Sequence, residues 1–227
     1  MNWMGYWLVY LAPLVTFFSS SWGQGPFYFT TIAIVFGIVP FLDHLIGDDS
    51  VNPSPEQERT IRQQMRYSLT LYGFVPAHLA LLLWGCYSVS HGVDNPTEWI
   101  GLLLCIGLIN GGLSINIAHE LCHRKTTLAQ TLAKLVWFSV GYMHFHIEHM
   151  DHHKKIGTPE DPATARRGES VYRFYLRSIP DSYLSAWNIE RKRLERKQLP
   201  LFSKHNQMLW FAAYPLVFAL SLLFSWG

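Results

Sequence analysis

Charge is what this sequence has least of. Only 15% of its 227 residues are Asp, Glu, Lys or Arg, against roughly 25% in soluble domains. That scarcity excludes an ordinary soluble surface over most of the chain. A formal net charge of +2 also gives no reason to expect a nucleic-acid partner. Cysteine is scarce as well: Cys86, Cys105 and Cys122 form no CxxC pair and no disulfide-like framework, so they say nothing of redox compartment. The N-terminus lacks a basic segment and a small-residue cleavage site, so the first apolar run reads as a retained helix rather than a signal peptide. No internal repeat or low-complexity segment interrupts the chain.

What the sequence has instead is apolar length. Hydrophobic residues make up 49% and aromatic residues 15%. Runs at 3–18, 27–42, 67–90, 99–118 and 208–227 approach the roughly 20 residues needed to cross a bilayer. The expected fold is all-α, a transmembrane helix bundle of about five spans.

Basic residues orient such a bundle. The connections 19–26 and 91–98 contain neither Lys nor Arg; three of the 18 lie in 59–66 and the other fifteen in 124–204. With five spans, both groups fall on one face, which the positive-inside bias makes cytoplasmic. The run 132–147 is apolar enough to suggest a further crossing, but a crossing there would export the basic tract 154–197. Residues 127–147 therefore read as a helix packed on the bundle or lying in the interface, with Lys134 facing water.

Seven of the eleven histidines then gather at the cytoplasmic end of the fourth span. "HELCH" places His119 and His123 four residues apart, one helical turn, with both imidazoles pointing the same way. "HFHIEHMDHH" follows at 144–153. Its His149, His152 and His153 are spaced i, i+3, i+4, within an arc of about 100° on a helix. So many imidazoles beside a membrane are costly to desolvate unless something uses their lone pairs. Neutral imidazole is the commonest protein metal ligand, and a nitrogen-rich site suits iron, zinc or copper. His144 and His146 are weaker candidates, as ligands or as partners of ligands. His44, His78, His91 and His205 stand alone.

HxxxH followed by a clustered HxxHH at a membrane boundary resembles the histidine-box membrane oxygenases and desaturases. The stretches "PFLDHLIGDDSVNPSPE", "NIAHELCHRK", "HFHIEHMDHHKKIGTPEDPATARRGESVYRF" and "SAWNIERKRL" narrow the resemblance to the AlkB-type alkane monooxygenases, with xylene monooxygenase hydroxylase subunits as relatives. It runs from about residue 3 to the end of the chain. "TPEDPATARRGES" is its most specific part, because no generic metal site requires it.

The resemblance implies a non-haem di-iron centre that uses O2 to hydroxylate the terminal methyl of a medium-chain alkane. The apolar substrate would enter from the bilayer, and electrons would come from a rubredoxin-type donor docked on the basic face. The implied location is a bacterial inner (cytoplasmic) membrane, with the metal site facing the cytoplasm. His119 and His123 match the first histidine box, and His149, His152 and His153 the second. Glu120, Glu148, Asp151, Glu160 and Asp161 are candidates for orienting the ligands. Asp43, in the family's PxxD segment after Pro40, is a candidate at the cytoplasmic opening. Val35 sits where family members carry a bulky residue limiting substrate length.

Two departures stand out. The family's second box normally reads HxxxHH, and here it is one residue shorter, which leaves His146 as a substitute for the displaced ligand. The family's third box is not found before Gly227. We therefore expect one membrane domain over 1–227, incomplete at its C-terminus and inactive alone, with the metal-site region at 119–204. Three other readings stay open: an aryl-methyl (xylene-type) monooxygenase, a zinc intramembrane protease using "HELCH" as HExxH, and a truncated relic without activity.

Overall fold

The computed structural model describes residues 3–47 and 54–226. Part of the expected opening segment, residues 48–53, and the last residue of the final apolar run lie outside the described residues. The described chain is helical with no strand, as the apolar periodicity predicts. It divides into two compact units between Val136 and Trp137.

The first unit begins with a 3-10 segment, Trp3–Tyr10, leading into α1, Leu11–Trp22. Then come α2, Gly25–Ile46; α3, Pro55–Gln63; α4, Met65–His91; and α5, Pro96–Cys122. Among the described residues, α2, α4 and α5 are the three helices long and apolar enough to cross a membrane. They correspond to the runs 27–42, 67–90 and 99–118. The run at 3–18 and the described part of the last run, to Trp226, are also helical but are not among those three. The chain is an integral membrane protein, and a helix is the form in which a lipid-exposed backbone satisfies its own hydrogen bonds. Phe36, Phe41 and Leu45 of α2 are accordingly exposed.

Small residues and local polar contacts set the packing of this unit. Tyr28 of α2 and Leu102 and Ile106 of α5 are buried in one core cluster with Val93. A Cβ on Gly101 would lie 2.8 Å from the Tyr28 Cβ and 2.9 Å from the Phe29 ring, so only glycine lets α2 and α5 come this close. Thr16 and Thr31 share a buried hydroxyl hydrogen bond of 2.7 Å between α1 and α2. Two spans carry a π-helical turn. In α2 it covers Ile34–Ile38, just before Pro40, whose ring and missing N–H disrupt a regular helix. In α5 it covers Ile109–Ser114, and the helix then resumes as Ile115–Cys122. Ser114 there meets the Nδ1 of buried His78 at 2.9 Å.

After α5 the chain turns into α6, Thr127–Ser139, which leads to α7, Phe145–Lys155. The single helix expected over 127–147 is therefore broken. Gly141, at φ +70°, takes a left-handed conformation open to glycine, and α7 starts a fresh helix bearing the second histidine box. Lys134 is half-buried rather than plainly facing water. The second unit continues through the loop 156–170 to α8, Val171–Arg196, and α9, Gln207–Trp226. Glu190 of α8, only 1% exposed, ties the start of α9 to α8. It accepts two hydrogen bonds from Arg193 at 2.6 Å and one from the Gln207 N–H at 2.7 Å.

Candidate metal centre

The first histidine box sits on the last turn of α5, downstream of the π-turn. His119 and His123 present their Nε2 atoms to each other at 3.2 Å; His119 is half-buried and His123 exposed. The C-terminal carbonyls of this helix are not left open. Gln130 donates from Nε2 to the Cys122 and Arg124 carbonyls, both at 2.6 Å. Arg124 donates to Ser68 Oγ on α4 at 2.5 Å.

The second box lies along α7. His149 is buried, and its Nε2 is 2.9 Å from that of His153, one turn on. Each i, i+4 pair thus converges two ring nitrogens. Metal–nitrogen bonds of about 2.0–2.1 Å place neighbouring ligand nitrogens roughly 2.9–3.4 Å apart, which both pairs match. The donor set, imidazole nitrogens in pairs, fits a transition metal.

His152 plays a different part. Its Nδ1 lies 2.9 Å from both carboxylate oxygens of Asp161. An ionised carboxylate only accepts hydrogen bonds, so Nδ1 carries a proton, and in the neutral ring the Nε2 lone pair is the one offered outward. This is the carboxylate–histidine arrangement that orients metal-bound imidazoles. Asp161 is held in turn by the Ala163 N–H at 3.1 Å and by the Thr164 hydroxyl. Burial alone would raise its pKa, but the bonds from Thr164, His152 and Ala163 outweigh that and hold the carboxyl below the usual range.

The other carboxylates separate. Glu148 is 1% exposed, its Oε2 makes no hydrogen bond to the described residues, and burial pushes its pKa up to about 7. Asp151 is engaged by Lys155 at 2.5 Å, an ordinary i, i+4 ion pair. Glu120 and Glu160 are exposed. Asp43 is exposed too, and its carbonyl accepts the Gly47 N–H at 3.0 Å, closing α2. Val35 is half-buried on the π-turn of α2.

The remaining box histidines meet aromatic rings. His144 is buried against Tyr142 and Tyr183, with ring centroids 4.5 and 5.2 Å away, and burial lowers its pKa. The His146 ring lies 5.6 Å from that of Trp137.

Three residues that carry weight here are absent from the sequence reading: Thr164, Glu169 and Arg177. For Thr164 and Glu169 the signal was "TPEDPATARRGES" itself, a specific stretch that no ligand count explains; Arg177 lies beyond it on α8, and nothing in the sequence marked it. The Arg177 Nε and Nη2 donate to the two oxygens of Glu169, both at 2.8 Å. That pairing, with the Arg166 N–H, holds Glu169 down to about 2. Beside the loop lies a groove of about 440 Å³ lined by residues including Lys155, Arg166, Arg191 and Lys192, with Glu160 and Asp181 as its acids.

Residues 97–227 match the Fatty acid desaturase family. The chain is 38% identical over 191 residues to an alkane 1-monooxygenase of Ectopseudomonas oleovorans, an alignment covering 82% of this chain and 47% of that protein. It is 37% identical over 209 residues to alkane 1-monooxygenase 1 of Alcanivorax borkumensis, covering 92% and 52%. The hydroxylase component of a xylene/toluene monooxygenase of Pseudomonas putida is more distant, 27% identical over 208 residues, covering 90% of this chain and 55% of that protein. The chain spans about half the length of these relatives. The resemblance read from the histidine boxes and the "TPEDP" stretch is borne out.

Proposed function

The chain belongs to the fatty acid desaturase family, and from that premise we propose that it forms the metal-binding part of a membrane monooxygenase hydroxylating the terminal methyl of medium-chain alkanes. The observation that carries this reading is the pairing of box histidines, with Nε2 separations of 3.2 Å for His119 and His123 and 2.9 Å for His149 and His153. The likeness to alkane 1-monooxygenases over most of the chain supplies the substrate class. Support for iron comes from the imidazole donors and from those relatives' oxygenase chemistry.

His119, His123, His149, His152 and His153 would hold the metal, as a di-iron centre with further ligands. When bound, it supplies the O2-activating redox chemistry. The chain's own residues have simpler tasks. Asp161 keeps the proton of His152 on Nδ1. The apolar helices deliver a hydrocarbon from the bilayer, exclude water and limit side reactions. Glu148 gives α7 a buried carboxyl next to His149 in the chain. The metal site faces the cytoplasm of a bacterial inner membrane, on the side of the basic residues. The groove beside α8, with its excess of Lys and Arg, suits an acidic rubredoxin-type electron donor.

The test uses membranes from cells producing the protein from its intact gene, supplied with an electron donor, octane and 18O2. The reading predicts 1-octanol carrying one 18O atom. Label found in an aryl alcohol from xylene, with none in octanol, would move the assignment to the xylene-type reading, which the more distant relative keeps in second place. No labelled alcohol from either substrate, in protein containing zinc and no iron, would end the oxygenase reading.

A further inference from the structure

The contacts of Arg177 bracket Asp161 in a way that a surface ion pair has no reason to adopt. Besides gripping Glu169, its Nη1 donates to the Pro162 carbonyl at 3.1 Å and its Nη2 to the Thr164 carbonyl at 3.0 Å. Pro162 directly follows Asp161, and Thr164 is the residue whose hydroxyl donates to the Asp161 carboxylate. The same Thr164 hydroxyl accepts the Gly157 N–H at 3.0 Å, which ties the loop back to the end of α7. The side chains of Arg177 and Glu169 are 15% and 4% exposed, so this pair is shielded from the screening that weakens surface ion pairs.

We propose that Arg177 is a positioning residue for the metal centre: by clamping Glu169 and the carbonyls flanking Ala163, it fixes the loop that presents Asp161 to His152, and so determines which nitrogen of His152 faces the metal. The assignment rests on His152 being a ligand, as proposed above. The physical chain is short. Arg177 holds the loop backbone, the loop backbone and Thr164 hold Asp161, and Asp161 accepts from Nδ1. Without the clamp, Asp161 is no longer held where both its oxygens face one imidazole. His152 is then free to exchange its proton between Nδ1 and Nε2, and a protonated Nε2 cannot bind a metal. Only arginine has the planar fork for two carboxylate oxygens together with donors for two carbonyls. Lysine, with one ammonium, cannot hold all four.

The test needs no metal for its main readout. The full chain, labelled with 15N-histidine and purified metal-free in nanodiscs, is examined at about pH 8, where imidazole is neutral. The His152 signals are identified by their loss in His152→Ala. Wild-type protein should show a single His152 tautomer with the proton on Nδ1. Arg177→Ala should show a mixture of tautomers, and Arg177→Lys a smaller change in the same direction. Iron titration of the same variants should show an affinity about tenfold weaker for Arg177→Ala. An unchanged His152 tautomer in Arg177→Ala of wild-type helicity overturns the proposal. If that variant does not fold, an unchanged tautomer in Arg177→Lys does the same. Failure of the wild-type chain to bind iron would count against the functional reading, and the tautomer result would still decide the role of Arg177.

Discussion

Asp161 accepts the Nδ1–H of His152 on both carboxylate oxygens, each 2.9 Å away. The pair joins two parts of the chain nine residues apart, the histidine-bearing helix and the loop after it. It also separates the roles of three histidines that share one helix. His149 and His153 face each other through Nε2, whereas His152 is turned so that Nδ1 meets a carboxylate.

Replacing Asp161 by Asn keeps the size of the side chain and removes the charge. Partners of ligating histidines typically change metal affinity by about 10–100-fold when lost. Asp161→Asn should therefore weaken iron binding by roughly tenfold or more, read by titration of the metal-free protein. Thr164→Val, which removes one donor to Asp161 and leaves the carboxylate in place, should have the smaller effect.

Glu190 should matter to stability rather than chemistry. Removing this buried carboxylate takes the shared acceptor from Arg193, which is 27% exposed and keeps the His205 carbonyl, and from the Gln207 N–H, at a cost of about 2 kcal/mol. Glu190→Ala should lower the thermal midpoint of the protein in detergent clearly more than Glu195→Ala, whose carboxylate is exposed and 3.8 Å from Arg191. Equal midpoints would show that the junction of α8 and α9 does not depend on this contact.

Acid should act on the same unit through carboxylates whose folded pKa is depressed. Burial raises Glu190, but its bonds from Arg193 and Gln207 outweigh this and leave it lowered. Arg177 lowers Glu169 to about 2 from 4.5. A depressed carboxylate binds its proton more readily in the unfolded chain, so its stabilisation is fully present above the unfolded value and is lost as pH falls through the folded value. Stability should thus fall from about pH 4.5 toward pH 2, and Glu169→Gln should flatten that decline. Denaturant melts across this window provide the check.

Gly101 tests the membrane-side packing. Its absent Cβ would meet the Tyr28 Cβ at 2.8 Å, an atom next to the backbone that cannot swing aside. Overpacking of this kind typically costs about 1–3 kcal/mol. Gly101→Ala should lower thermal stability by that order, while Gly107→Ala, with nothing within 4 Å of its Cβ, should not.

Much of this was legible in the sequence because one physical requirement dominates it. Apolar runs that must bury or embed their backbone announce helices, so α2, α4 and α5 are found within a few residues of where the runs lie. The i, i+4 spacing of His119 with His123, and of His149 with His153, is likewise a statement about helix geometry. The shortened box keeps such a pair and moves the extra histidine to i+3, where it meets Asp161. Less legible was the break at Gly141, since an apolar run of helix-forming residues does not reveal where a left-handed residue will divide it. The partners of His152 were hidden for another reason. Asp161, Thr164, Glu169 and Arg177 sit in a loop and on the following helix without periodicity, and only folding shows which of five nearby carboxylates reaches an imidazole. Glu120 and Glu160 carried the same expectation and are exposed, and Asp151 pairs with a lysine instead.

The central claim is that the two i, i+4 histidine pairs bind iron. Metal analysis of the protein purified from its intact gene, as wild type, His119→Ala and His153→Ala, addresses it most directly. Iron should be the principal metal of the wild type and be lost in both variants, with helicity unchanged. Iron retained at the wild-type level in both variants, or zinc alone at near-stoichiometric content in the wild type, would contradict it.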